Sequence, residues 1–307
     1  MINNLNLWKK LGRIIKPDPR IPWMATYTGA SFAIQNANTS LFDIYVTGRD
    51  IRNRSLIGKI RIDLNDLNSN IKISKKPVFS FGELGGFDEN GVSYPVIIES
   101  GFKRYMYYVG WMPTVLTPFQ NFTGLAQADI GSDNFRRVSR APILGRTNED
   151  PFSTGSVFVM KENGIWKMWY TAFNKWGKEG EHKHYYNIKY AESNDGVDWK
   201  RENKVCIDFK NSDEYAIGKP SVVKIDGIYH MWYVYRGKQY KIGYAHSFDG
   251  IKWQRRDDIV GIEVSNSGWD DTAIAYPHVF KYESSLYMLY CGNNYGKEGL
   301  GLARLKL

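Results

Sequence analysis

Apolar and polar residues alternate over short runs along most of this chain, and Asp-Gly, Asn-Gly and related turn pairs break the runs. Period-two alternation of this kind predicts half-buried β-strands rather than helices. The runs also repeat. Ser156 to Cys206 and Pro220 to Val260 share one plan. An apolar run leads to an N-G or D-G turn, then a Met- and aromatic-rich strand, a Tyr-Ala strand, a D-G turn, and finally Trp with basic residues. Pro95 and Pro277 open further copies, and a weaker copy opens near Ser31. The spacings between openings are 64, 61, 64 and 57 residues.

The last copy stops after three strands. Its missing fourth strand is found at the other end of the chain, where Trp8-Lys9-Lys10 resembles Trp199-Lys200-Arg201 and Trp253-Gln254-Arg255-Arg256. A repeat that closes across the termini implies a ring. The expected fold is therefore all-β, a five-bladed β-propeller sealed by an N-terminal strand that completes the last blade. The whole chain, 1–307, forms a single domain. Its blades fall at about 25–80, 88–145, 150–208, 213–262, and 270–307 with 1–16. Length alone would have suggested about two domains.

Composition sharpens this picture in two ways. Aromatic residues make up 15% of the chain, with 10 Trp, 21 Tyr and 15 Phe. They recur at repeat positions (Tyr107, Trp169 and Trp232; Trp199 and Trp253), as packing between blades requires. The Ser-x-Asp-Gly-x-x-Trp pieces at Ser193 and Ser247 read as turn chemistry. The two cysteines, Cys206 and Cys291, are too few for a disulfide scaffold or a four-cysteine zinc site. They are expected to be free, mostly buried thiols in a cytoplasmic protein.

The loops entering each innermost strand carry paired acids: Asp88 and Glu89, Glu149 and Asp150, Asp213 and Glu214, Asp270 and Asp271. In a propeller these loops converge over the central channel. Asp88, Asp150 and Asp271 are candidate catalytic carboxylates, because glycoside cleavage uses such a pair. The alternative is that these acids cap turns. Residues at the channel that differ from blade to blade are candidates for substrate binding. Arg49, Lys219, Arg236 and His278 would hold an anionic or polyhydroxylated ligand, with Asp50, Glu89 and Glu214 beside them. Tyr94 and Trp111 could stack on a sugar face.

These features resemble the five-bladed propeller glycosidase superfamily of arabinanases, β-xylosidases, invertases and levansucrases. The likeness is greatest to an uncharacterised glycosyl-hydrolase-like branch linked with bacterial surface-polysaccharide loci. It is carried by Thr47-Gly48-Arg49-Asp50 with Asn53-Arg54-Ser55, by Gly82 to Asp88, by Ile188 to Ser193, by Tyr215 to Pro220, and by Gly268-Trp269-Asp270 through Tyr276-Pro277. The resemblance implies a glycosidase or glycosyl-transferring enzyme, or a sugar-binding propeller without catalysis. It also implies acids at strand openings, and here the chain departs from the pattern. The first blade has Ala25-Thr26-Tyr27, and Ser93, Gly218 and Ala275 stand two before the later prolines. The family's triad is therefore not carried over, which leaves the loop acids as candidates.

The net charge of +9 is spread along the chain and densest at Arg49–Arg54 and Arg136–Arg140. Solvated outer edges are the expected home of the fourth-strand Lys and Arg. The expected partner is a carbohydrate or a sugar nucleotide, with no nucleic acid, no membrane span and no cofactor. His182-Lys183-His184 is a weak metal candidate, so no metal is assigned. Its loop, Asn174 to Tyr186, could act as a lid.

Overall fold

The computed structural model describes residues 7–67, 71–179, 181 and 183–307. His182, and with it the His182-Lys183-His184 metal reading, lies outside the described residues.

The chain begins with β1 (Lys9–Ile15). Next, β2 (Tyr27–Gln35), β3 (Leu41–Arg49), β4 (Ser55–Asp63) and the short β5 (Lys72–Ile73) form one antiparallel unit. A second unit follows in β6 (Val92–Ser100), β7 (Lys103–Met112), β8 (Gln120–Asp129) and β9 (Arg136–Arg137). The third comprises β10 (Thr154–Glu162), β11 (Ile165–Trp176), β12 (His184–Ser193) and β13 (Lys200–Ile207). The fourth comprises β14 (Ala216–Ile225), β15 (Ile228–Arg236), β16 (Tyr240–Ser247) and β17 (Gln254–Arg255). A parallel bridge, Tyr186 to Ala216, joins the third unit to the fourth. The last unit is β18 (Ala275–Tyr282), β19 (Ser285–Cys291), β20 (Leu300–Lys306) and, outermost, β1. β1 pairs antiparallel with β20 from Lys9↔Arg304 to Ile15↔Leu300. The innermost strands pack in cyclic order: β2 on β6, β6 on β10, β10 on β14, β14 on β18, and β18 back on β2.

Turn chemistry sets the hairpins. Asn163-Gly164 (φ 51° and 84°) links β10 to β11, and Asp226-Gly227 (φ 49° and 82°) links β14 to β15. Positive φ at both central residues matches the right-handed twist of the flanking strands. The Ser-x-Asp-Gly pieces are closed by their own side chains. Ser193 Oγ accepts the Gly196 N–H at 2.9 Å, and Asp195 accepts the N–H groups of Val197 and Asp198. Each turned glycine then offers its carbonyl to the preceding unit. The Tyr107 hydroxyl donates to Gly196 O and the Trp169 indole to Gly250 O, both at 2.7 Å. These bolts sit within an apolar layer in which Trp166, Trp169 and Tyr190 are fully enclosed. Cys206 and Cys291 are free and buried.

The expected lid is shorter than its sequence suggested. Lys175 pairs with Tyr185 and Trp176 with His184, so β11 and β12 take in both ends of Asn174 to Tyr186. Phe173, Trp176, His184 and Tyr186 pack ring against ring there, which explains the extension.

Candidate functional site

Each innermost strand carries a register shift at the same place: Gly29/Ser31, Ser93/Val96, Thr154/Val157, Gly218/Ser221 and Ala275/His278. A bulge leaves one residue out of the ladder and re-aims its side chain. In three units that residue is Tyr94, Lys219 or Tyr276, with φ of 53°, 51° and 56°. A side chain larger than glycine pays for this left-handed backbone, and such strain gathers at functional sites. The freed N–H groups are satisfied by the preceding unit. Tyr94 N–H donates to Thr47 Oγ1 at 2.9 Å, and Lys219 N–H to Ser156 Oγ at 3.0 Å.

The three bulge residues face one cavity of about 700 Å³, within the usual range for a small-molecule site. The first unit adds Tyr27, Arg49 and Asp50, and the second adds Phe119 from the β7–β8 loop. Ser156, Thr171, Phe173 and Tyr186 come from the third unit, and Arg236 and Tyr240 from the fourth. Tyr295 and Lys297 complete the wall from the last. The surface is rich in phenols. The Tyr186 and Tyr240 hydroxyls meet at 2.5 Å, and Tyr94 stands edge-on to Tyr276 with centroids 5.3 Å apart. Burial disfavours the phenolate and pushes the pKa of Tyr94, Tyr186, Tyr240 and Tyr276 upward, so they remain protonated hydrogen-bond donors.

The lining charge is mostly positive. Arg49 lies over Tyr27 and Trp111 at 5.2 and 5.6 Å, with Nη1 donating to Asn53 Oδ1 at 2.8 Å. Arg236 lies over Tyr215 and Tyr240. Lys219 is 1% exposed, and burial pulls its ammonium down to about 8. Among the described residues, Asp50 is the lining carboxylate. Its oxygens accept the N–H groups of Arg52 and Arg54 and the Arg54 Nε, each at 2.9 Å.

The sequence-selected acids stand elsewhere. Asp88 accepts from Tyr108 and pairs with Arg137 at 2.7 Å. Asp150 is fully buried and is bound by Tyr170, Lys189 and Arg201 at 2.9, 2.8 and 3.1 Å. Glu214 pairs with Arg255 at 2.8 Å. Asp271 accepts from Gly268 N–H and Asn293, and Glu89 accepts the Gly85 N–H. In the last unit the enclosed acid is Asp270, held by Lys10 and Tyr290. None of these acids is in the cavity wall; most are charge clamps inside the units. One fourth-strand basic residue of each of these units faces its clamp: Arg137, Arg201, Arg255 and Lys10. Arg201 and Arg255 side chains are each 10% exposed, while Lys200, at 77%, and Lys204, at 40%, lie on the solvated edge as expected. His278 is buried against Phe32, centroids 4.3 Å apart, beneath the cavity rather than in its wall. Trp111 backs Arg49 without entering the wall.

Of the sequence candidates, Arg49, Asp50, Tyr94, Lys219 and Arg236 come together. Tyr27, Phe119, Tyr186, Tyr240, Tyr276 and Lys297 were missed. Tyr276 occupies the same repeat position as Tyr94 and Lys219, which was the available signal. Among the described residues, no group of three or more His, Cys, Asp or Glu is placed to hold a metal, and no helix is long and apolar enough to cross a membrane.

An all-β molecule of packed four-stranded units around one cavity is the fold of propeller-type glycoside hydrolases. A solved structure titled "Glycoside hydrolase" matches over 97% of this chain and 92% of its own, with TM-score 0.75 and 17% identity. No protein-family model matches the chain. The "Uncharacterized protein Rv1502" of Mycobacterium tuberculosis (strain ATCC 25618 / H37Rv) is 38% identical over 299 residues, covering 97% of this chain and 99% of the relative. The chain belongs to the family of that protein. A "1,2-beta-oligomannan phosphorylase" of Thermoanaerobacter sp. (strain X514) is 30% identical over 129 residues, 39% of this chain and 44% of the relative.

Proposed function

We propose that the chain is a single-domain, five-bladed β-propeller enzyme that transfers a glycosyl unit between a glycan and phosphate. The observation that carries this reading is the make-up of the cavity wall, with four Lys and Arg side chains and one carboxylate among the described residues. Hydrolysis uses two carboxyl groups flanking the bond, one to protonate the leaving oxygen and one to activate water or attack the sugar. Phosphate is itself an anionic nucleophile, so its attack needs one acid and a cationic seat. In this scheme the entering dihydrogen phosphate supplies a proton, which Asp50 relays to the glycosidic oxygen. The C1–O bond to the leaving sugar breaks, a C1–O bond to phosphate forms, and a sugar 1-phosphate and a shortened glycan result. The partial likeness to a β-1,2-oligomannan phosphorylase supports this class of substrate. The resemblance seen in the sequence supports a role in bacterial surface-polysaccharide metabolism. The two free buried thiols suit a cytoplasmic setting.

The test is release of sugar 1-phosphate from β-1,2-linked manno-oligosaccharides with and without phosphate. Phosphate-dependent release is expected, and Asp50→Asn should lower it by about 10²–10⁴-fold with the melting temperature little changed. Sugar release that ignores phosphate would overturn the scheme. A second reading, a sugar-binding propeller without catalysis, is favoured by one feature: both Asp50 oxygens are already engaged by the Arg52–Arg54 turn. It expects saturable glycan binding with no turnover.

A further inference from the structure

The cations of the cavity differ in depth and in company. Lys297 is exposed, and Arg49 and Arg236 are half-buried and rest on aromatic faces. Lys219 alone lies at the floor, on its strained bulge, 1% exposed. Among the described residues its ammonium makes no ion pair, and its hydrogen bond to Pro277 O is long, at 3.4 Å. The groups around it carry no compensating charge. His278 on β18 is held neutral by burial and by Lys219 itself, and the Cys291 thiol on β19 is pushed up to about 12. Tyr94 and Tyr276, which line the same cavity, are protonated phenols. A buried cation without a partner is costly, and a bulge that aims it into a ligand cavity retains that cost for a use.

We infer that the sugar seated on this floor carries an anionic group, a uronate carboxylate or a phosphoester, which the Lys219 ammonium binds while the phenols of Tyr94 and Tyr276 donate beside it. The inference rests on the sugar-binding reading above but not on turnover. It separates two anion seats. The phosphate that attacks lies toward Arg49 and Arg236 at the mouth, and the sugar's own charge lies at the floor. A neutral sugar in the same place would leave the ammonium uncompensated.

The experiment is calorimetric binding to the full chain at pH 7, using glucose, mannose and galactose, each beside its uronic acid and its 6-phosphate. Inorganic phosphate alone serves as a further probe. At least one uronate or 6-phosphate should bind about tenfold or more tightly than its parent sugar. The uronate arm and the phosphate arm identify which anion the floor takes. That preference should shrink at pH 9.5, where Lys219 is neutral, and vanish in Lys219→Met. Equal binding of charged and parent sugars, or no binding by any, overturns the inference. So does a preference that survives in Lys219→Met, or one that inorganic phosphate alone reproduces through Lys219. Phosphate-dependent turnover of neutral glycans with no anion preference would leave the enzyme reading standing and sink this one. Anion preference without turnover would do the reverse.

Discussion

Lys219 shows at the residue scale how a site is maintained against stability. Its ammonium is depressed from 10.5 to about 8, which burial causes. That difference corresponds to ~3 kcal/mol of lost stability at neutral pH. The sign follows from proton counts. Between pH 8 and 10.5 the unfolded chain binds a proton that the folded chain has released, so stability rises with pH across that window. Below pH 8 the full penalty applies. Lys219→Met removes the charge while keeping most of the volume, so it should melt above the wild type at pH 7. Its advantage should shrink between pH 8 and 10. Thermal melts of both proteins at pH 7, 9 and 10 check this. A margin that does not change with pH would mean that folding leaves the Lys219 ammonium charged as it is in the unfolded chain, without the depression. Lys219 and Tyr94 were legible in the sequence because they break the repeat at one fixed position. Tyr186 and Tyr240 were not, because a phenol facing the cavity and one packed between sheets look alike in a chain with 21 tyrosines.

The repeated element is a clamp. An acid in the loop before the innermost strand accepts a tyrosine hydroxyl from the second strand, 20 residues on, and a cation from the fourth. Asp88–Tyr108–Arg137, Asp150–Tyr170–Arg201 and Asp270–Tyr290–Lys10 share this plan. The fourth unit varies it, with Arg255 bridging Glu214 and Asp257, and Tyr233 donating to Asp257. The clamp ties the loop across its own sheet. This is why the acids recur in sequence, and why recurrence pointed to structure more than to catalysis. The sequence candidates Asp88 and Asp150 are clamp acids, but Asp271 stands one residue past the clamp acid Asp270, because nothing in the paired-acid pattern says which of the two is enclosed. The Asp-to-Tyr spacing of 20 residues would have fixed the register. Asp150→Asn leaves Lys189 and Arg201 unpaired in a place where their side chains are 6% and 10% exposed. Urea unfolding should show a loss of about 3–5 kcal/mol. Glu83→Gln, which breaks the exposed pair with Arg140, should cost under ~1 kcal/mol. Equal effects at the two sites would contradict the clamp.

At the scale of the whole molecule, the ring we propose depends on one short strand from the far end of the chain. β1 is the fourth strand of the last unit, and it also reaches the unit before. Trp8 is 6% exposed and stands edge-on to Trp232, centroids 5.8 Å apart, while its N–H donates to Gly261 O at 2.9 Å. Lys10 is the clamp cation for Asp270, at 2.7 Å. Removing residues 1–15 therefore opens the β20 edge, uncovers Trp232 and leaves Asp270 enclosed without its cation. The damage does not stay local, because β18 of the same unit packs on both β14 and β2. In an array of units each touching only two neighbours, a weakened unit can fray by itself. In a closed ring it loosens both neighbours, so the cavity they share should fail with it. The truncated chain should melt as one transition, lower by on the order of 10 °C or more, and lose ligand binding at the cavity. Thermal unfolding followed at once by circular dichroism and tryptophan fluorescence checks this. Two separate transitions, with binding retained after the first, would mean that the units fold independently and that β1 decorates the last sheet instead of sealing the ring.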